Sequence, residues 1–291
     1  MNIQTFKAPP EDFDPVTAPL QTLALHGIPR RPDPQAEPAL RALWDKVFAR
    51  KPKFIVPVAN PAHVWKSAPH KVLQQKEFGL AGDWAGAVVQ VASLGFTPPQ
   101  PANMVYAEWV VPKISTTPSE SGSNRVGFWV GLGGYGTNNL LQAGTAATLS
   151  GSSVSYWAWT EWVPAGFATD SLGLTAGDTV SVLVCAPETD HGYVSMMNQR
   201  TNQAISIGVN DPEGTSPYDG STVEWIVEAI DNDVPNFGSV IFKEITAATQ
   251  NHAINLAKAF SLNATLGPTT LMTGKVLLSQ NEVEVIWDAA S

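Results

Sequence analysis

An all-β protein of two large sheets packed face to face, preceded by an extension with one helix, is what this 291-residue sequence predicts. Three observations carry that expectation. From Trp84 onward the chain runs in short stretches that alternate or are continuously apolar, and Gly, Asn, Asp, Ser and Thr separate them. Ten Trp residues with 23 Gly and 23 Pro suit sheet faces and frequent turns. Several stretches are too apolar to leave one face in water, which is why stacked sheets are expected.

The extension comes first. Residues 1–80 hold 11 Lys and Arg against 7 Asp and Glu, a net +4, whereas residues 81–291 hold 6 against 19, a net −13. The early part is rich in proline (PRRPDPQAEP, KPKFIVPVANP) and carries one helical pattern, ALRALWDKVFAR. There Leu40, Leu43, Trp44, Val47 and Phe48 fall on one face, and Lys51-Pro52 ends the run. Such a segment cannot form a large core alone and must lie on something else or stay mobile. The chain is therefore divided into a basic extension, residues 1–75, and a β domain, residues 76–291. The strand candidates follow in order: WAGAVVQV, MVYAEWVV, RVGFWVGL, LLQAGT, VSYWAWTEW, TVSVLVCA, YVSMMN, QAISIGV, TVEWIVEAI, SVIFKEI and EVEVIW. INLAKAFSL suits a strand or a helix.

Composition and missing motifs remove several functions. A net charge of −9 argues against nucleic acid as a partner, because phosphate neutralisation needs a basic surface. Cys185 is the single cysteine, which excludes a disulfide scaffold and a multi-cysteine zinc site and leaves a core residue in SVLVCA. The start MNIQTFKAPPEDFD shows no basic region followed by an apolar stretch, and eighteen consecutive apolar residues occur nowhere, so neither a signal peptide nor a membrane span is visible. Gly131, Gly133 and Gly136 match the spacing of a dinucleotide-binding loop, but the following TNNLLQAGTAATLSGSS lacks the helix whose N-terminus would receive a pyrophosphate. HExxH, Gly-x-Ser-x-Gly, Asp-Thr-Gly and Asp-Ser-Gly strings are absent, and no cofactor or metal is expected.

Two strings place polar groups inside apolar strands. In LLQAGT, Gln142 stands between apolar neighbours; in VEWIVEA, Glu224 and Glu228 share one face while Trp225 and Val227 take the other. WAWTEW similarly sets Trp157, Trp159 and Glu161 against Tyr156, Ala158, Thr160 and Trp162. A groove lined by aromatic rings and a few acids binds polymers. On residues alone it suits a glycoside hydrolase or carbohydrate-binding module, with Glu161 and Glu224 as a carboxylate pair, as well as a peptidase or a non-catalytic binding module.

The order WAGAVV, FWVGLGGYGTNNLLQAGT, YWAWTEW, VEWIVEA resembles the motif order of the glutamic peptidase (eqolisin) family, from about Trp84 to the C-terminus. The resemblance implies an acid-acting endopeptidase of concanavalin-like architecture, a β-sandwich of two large antiparallel sheets, that needs neither metal nor covalent intermediate. Residue by residue it puts the catalytic glutamine on Gln142 and the catalytic glutamate on Glu224, expected on adjacent strands. Trp84, Trp129, Trp159 and Glu161 match substrate-binding groove positions, and Glu228 is assigned no catalytic proton. Polypeptide substrates, a monomer and secretion are expected with it. Because fungal members carry basic propeptides, residues 1–75 are expected to be an inhibitory prosegment, with a permanent structural arm as the competing reading. Gly133, Ala146 and Trp157 stand where fungal members usually carry acids, and the turn before Gln142 is one residue shorter.

Overall fold

The computed structural model describes residues 3–63, 82–115, 123–137, 139–211, 218–231 and 234–288; the expected boundary between residues 75 and 76 lies outside them. The extension supplies β1 (Ile3–Thr5), α1 (Leu20–Leu25), α2 (Pro38–Phe48) and β2 (Lys53–Phe54). The β domain begins with β3 (Trp84–Gln90), β4 (Met104–Val110), β5 (Ser123–Gly133), β6 (Leu140–Ser150), β7 (Ser153–Trp162) and β8 (Ala165–Thr169). It continues with β9 (Thr179–Cys185), β10 (His191–Asn198), β11 (Gln203–Asn210), β12 (Thr222–Ala229) and β13 (Ser239–Ala248). It ends with β14 (Ala253–Ile254), β15 (Phe260–Leu266), β16 (Thr269–Leu277) and β17 (Glu282–Trp287).

Pairing joins these strands in one 17-stranded network. Its ladders are antiparallel except that of β2 with β11. One run reads β15, β3, β12, β5, β6, β7, β8. Another reads β14, β13, β4, β9, β10, β11. β16 and β17 connect β15 back to β13, so the network is nearly barrel-like. The largest core forms where alternate residues of the first run, among them Ala85, Phe128, Ala143, Trp162 and Trp225, meet Trp109, Val182, Ile205 and Phe242 of the second. That is the apolar face expected from the period-two pattern.

Each of the eleven strand candidates falls on a strand. INLAKAFSL splits, its middle making a 3-10 turn (Leu256–Lys258) and its end opening β15. The sequence does not announce β8 or β16, because Gly, Thr and Lys dilute their apolar pattern. Cys185 is buried, as a core thiol should be.

Helix α2 starts with Pro38 at a position where the missing N–H costs nothing. It buries Leu40, Leu43, Trp44 and Phe48 against Met104, Tyr106, Leu183, Cys185 and Ala204, side chains of the second run that point away from the largest core. Trp44 Nε1 donates to the Pro29 carbonyl at 3.0 Å. Beyond the helix, the Lys53 and Ile55 amides donate to the carbonyls of Asn202 and Ala204, and Ala59 bridges to Thr169 at the end of β8. The extension therefore lies on the body along its described length, and its last described residues reach the edge of the first run.

Candidate active site

Register builds the site. Across β12, β5, β6 and β7, Glu224 faces Gly131, Gly131 faces Gln142, and Gln142 faces Glu161. Residues directly opposite one another project from the same side of a sheet, so these three polar side chains share a face. The glutamine and glutamate do not stand on adjacent strands as expected. β12 pairs with β5 from the other side, so two strand spacings, about 10 Å, separate the two Cα atoms. What lies between them is Gly131, where a methyl group would come within 2.8 Å of the Trp129 ring and 3.0 Å of Leu140.

The next rows on the same face are apolar and then acidic. Ile226, Trp129, Gly144 and Trp159 form one; Glu228, Gly127, Ala146 and Trp157 form the other. Gly144 is obligatory, since a Cβ there would meet the Phe128 carbonyl at 1.9 Å. Trp84, opposite Glu228 on β3, meets Trp129 edge to face with ring centroids 4.8 Å apart. Trp129 Nε1 donates to Glu228 Oε2 at 2.9 Å. Ala146 and Trp157, two of the positions where this sequence departs from the family pattern, lie in the Glu228 row, so Glu228 is that row's one acid.

All of these groups are shielded. Gln142 and Glu224 are 0% exposed, Glu161 1%, and Trp84, Trp129 and Trp159 no more than 2%. Gln142 Nε2 donates to Glu161 Oε2 at 3.0 Å, and Thr160 Oγ1 donates to the Gln142 backbone carbonyl at 3.0 Å. Gln142 Oε1 and both carboxyl oxygens of Glu224 have no hydrogen-bond partner. A buried polar atom left so costs about 1–3 kcal/mol, and three of them lie on the two sides of one glycine.

Burial pushes the Glu224 carboxyl well above its usual range; Thr222 and the Tyr135 backbone pull weakly the other way without forming bonds of normal geometry. Glu228 is raised well above its usual range by burial first, then by the charges of Asp83 and Glu161. Asp83, just before β3, is pushed up to about 6 by burial. Three carboxyls in one region thus favour their protonated forms.

The extension also touches this face. His63 stacks on Trp157 with centroids 4.2 Å apart and planes 5° from parallel, and its Nε2 lies 3.3 Å from Asp170. Sequence reasoning missed His63, Asp83 and the role of Gly131, which it weighed only as part of a phosphate-loop spacing. The signal available was the set of glycines inside strongly apolar strands, positions where something approaches closely. In place, Gly131 and Gly133 end β5 and Gly136 lies in a turn that leads into β6, not into a helix. Among the described residues no group of three His, Cys, Asp or Glu could hold a metal ion, and no helix is long and apolar enough to cross a membrane.

A family model described as the Peptidase A4 family matches residues 82–287. Among solved structures, a scytalido-glutamic peptidase with a transition state analog inhibitor is 20% identical, at TM-score 0.59, over 72% of this chain and 100% of that one. SCP-B, a member of the eqolisin family in complex with the tripeptide Ala-Ile-His, is also 20% identical over 72% of this chain and 100% of its own, at TM-score 0.56. The aspergilloglutamic peptidase from Aspergillus niger is 24% identical over 56% of this chain and 99% of its own, at TM-score 0.50. No curated protein matches the chain.

Proposed function

Because the chain belongs to the Peptidase A4 family and is an acid endopeptidase on that ground, we propose that Gln142 and Glu224 carry its chemistry through one activated water. The observation that supports this most is the pair's arrangement: two buried side chains on one face, flanking a glycine, with three polar atoms unpartnered. Peptide hydrolysis needs an oriented water, a donor for the developing oxyanion and a proton for the leaving nitrogen. The Gln142 amide supplies a carbonyl for the water and an NH2 for the oxyanion. Glu224 exchanges the proton between water and nitrogen, and a raised pKa suits a group that must hold a proton in acid. No step requires a metal or a covalent intermediate.

The substrate is an extended polypeptide in the groove on this face, with Trp84, Trp129 and Trp159 as the expected contacts; Glu161, expected among them from the sequence, is bonded to Gln142 instead, and the peptide ligand of SCP-B supports that substrate class. The same likenesses support reading the strand network as two large antiparallel sheets of concanavalin-like architecture. The carbohydrate alternative is weakened, because the family that matches residues 82–287 is a peptidase family. A monomer acting after secretion remains the expected setting. Of the two readings of the extension, the buried apolar face of α2 supports a permanent arm for the helix, whereas the contact of His63 with Trp157 is where an inhibitory segment would act. The testing experiment incubates the purified chain with unfolded protein and with polysaccharide from acidic to neutral pH. Cleavage of the protein in acid is expected; polysaccharide cleavage, or none of protein under any condition, would overturn the reading.

A further inference from the structure

We propose that Glu161 is a positioning residue that decides which end of the Gln142 amide faces the gap over Gly131, rather than a residue that touches substrate. The inference rests on the reading of Gln142 as catalytic. The two ends of a glutamine amide are nearly equal in shape and opposite in chemistry: one only accepts hydrogen bonds, the other only donates. Something must choose between them if the residue is to orient a water or an oxyanion reproducibly.

Glu161 is placed to choose. It is opposite Gln142 in the β6–β7 ladder, 1% exposed, and its Oε2 receives the Gln142 Nε2 bond at 3.0 Å. Glu161 Oε2 is the acceptor there, so it holds the NH2 end toward itself and turns the carbonyl away. Gln142 Oε1 is accordingly the amide atom left without a partner. In a water-excluded setting such a bond is electrostatically stronger than in water. The neighbouring Thr160 hydroxyl holds the Gln142 backbone carbonyl at 3.0 Å, so β7 grips the residue at both its main chain and its side chain.

The test is steady-state kinetics on one peptide with Glu161→Ala, Glu161→Gln, Gln142→Ala and the Gln142→Ala/Glu161→Ala double variant, beside thermal melts. Glu161→Ala is expected to lower kcat on the order of 10- to 100-fold with KM within about twofold. Glu161→Gln, which can donate or accept and so permits either amide orientation, should keep its melting temperature and fall between Ala and wild type. The double variant should be no slower than Gln142→Ala alone, since the effect travels through that side chain. A Glu161→Ala enzyme with raised KM and wild-type kcat, or Glu161 variants as fast as wild type, would overturn the proposal while an inactive Gln142→Ala left the catalytic reading standing. A Gln142→Ala enzyme of wild-type activity would sink the catalytic reading and this one with it.

Discussion

The carboxyls paired with cations of the extension and those at the site are displaced in opposite directions. Asp14, Glu37 and Glu244 are held below their usual range, first by hydrogen bonds to Lys51, Arg30 and Lys46. Glu224 and Glu228 are pushed well above theirs, and Asp83 up to about 6, in each case first by burial. The lowered group contributes stability above its unfolded pKa and loses it as pH falls through the folded value; the raised group contributes below its unfolded pKa and loses it as pH rises through the folded value. Acid therefore loosens the ionic ties of the extension and firms the strands that carry the pair. A carboxyl with an ion partner holds structure, whereas a buried carboxyl without one is a reserve of protons.

Magnitudes decide how far acid can move the extension. Its pairs with the body, Lys46 with Glu244 at 2.8 Å and Arg50 with Glu108 at 2.7 Å, are partly exposed, and such pairs contribute about 0–1 kcal/mol each. Each large apolar side chain buried by α2 contributes about 1.5–3 kcal/mol, independent of pH. Leu40, Leu43, Trp44 and Phe48 together outweigh the ion pairs, so the helix stays docked in acid. In the stretch that follows, Val56 and Val58 are exposed, so it lacks the apolar anchorage of α2.

The largest way to break this comparison is at the helix. Trp44→Ala should destabilise the chain by about 3–5 kcal/mol in denaturant unfolding, equally at acidic and neutral pH. A cost under about 1 kcal/mol would mean the helix is not part of the fold. A smaller effect sharpens the other side. Asp83→Asn should remove on the order of 2–3 kcal/mol of pH dependence, flattening the fall in stability expected as pH rises from about 4 through about 6. Melts of both proteins across that window check it, and identical pH profiles would mean that the raised pKa of Asp83 does not hold in solution.

Much of this was legible in the sequence. The alternation in VEWIVEA and WAWTEW set the faces of β12 and β7, and the spacing of Leu40, Leu43, Trp44 and Phe48 predicted the docked side of α2. What could not be read was register across the chain. That β12 pairs with β5 opposite β6 joins residues as far apart in sequence as Gly131 and Glu224, and only that pairing puts Gly131 between Gln142 and Glu224. Asp83 was invisible for the same reason. It lies far from Glu228 in sequence, and its raised pKa comes from burial that local pattern does not report.

The central claim, that the buried polar face is kept for proton transfer, is tested most directly by Glu224→Gln. The substitution is nearly isosteric and removes an ionisable group from a fully buried place, so the variant should fold with a melting temperature at or above that of wild type. Its cleavage of unfolded protein in acid should fall on the order of 100-fold or more, the usual loss when a general acid–base is removed. A folded Glu224→Gln enzyme that cleaves at the wild-type rate would contradict the account.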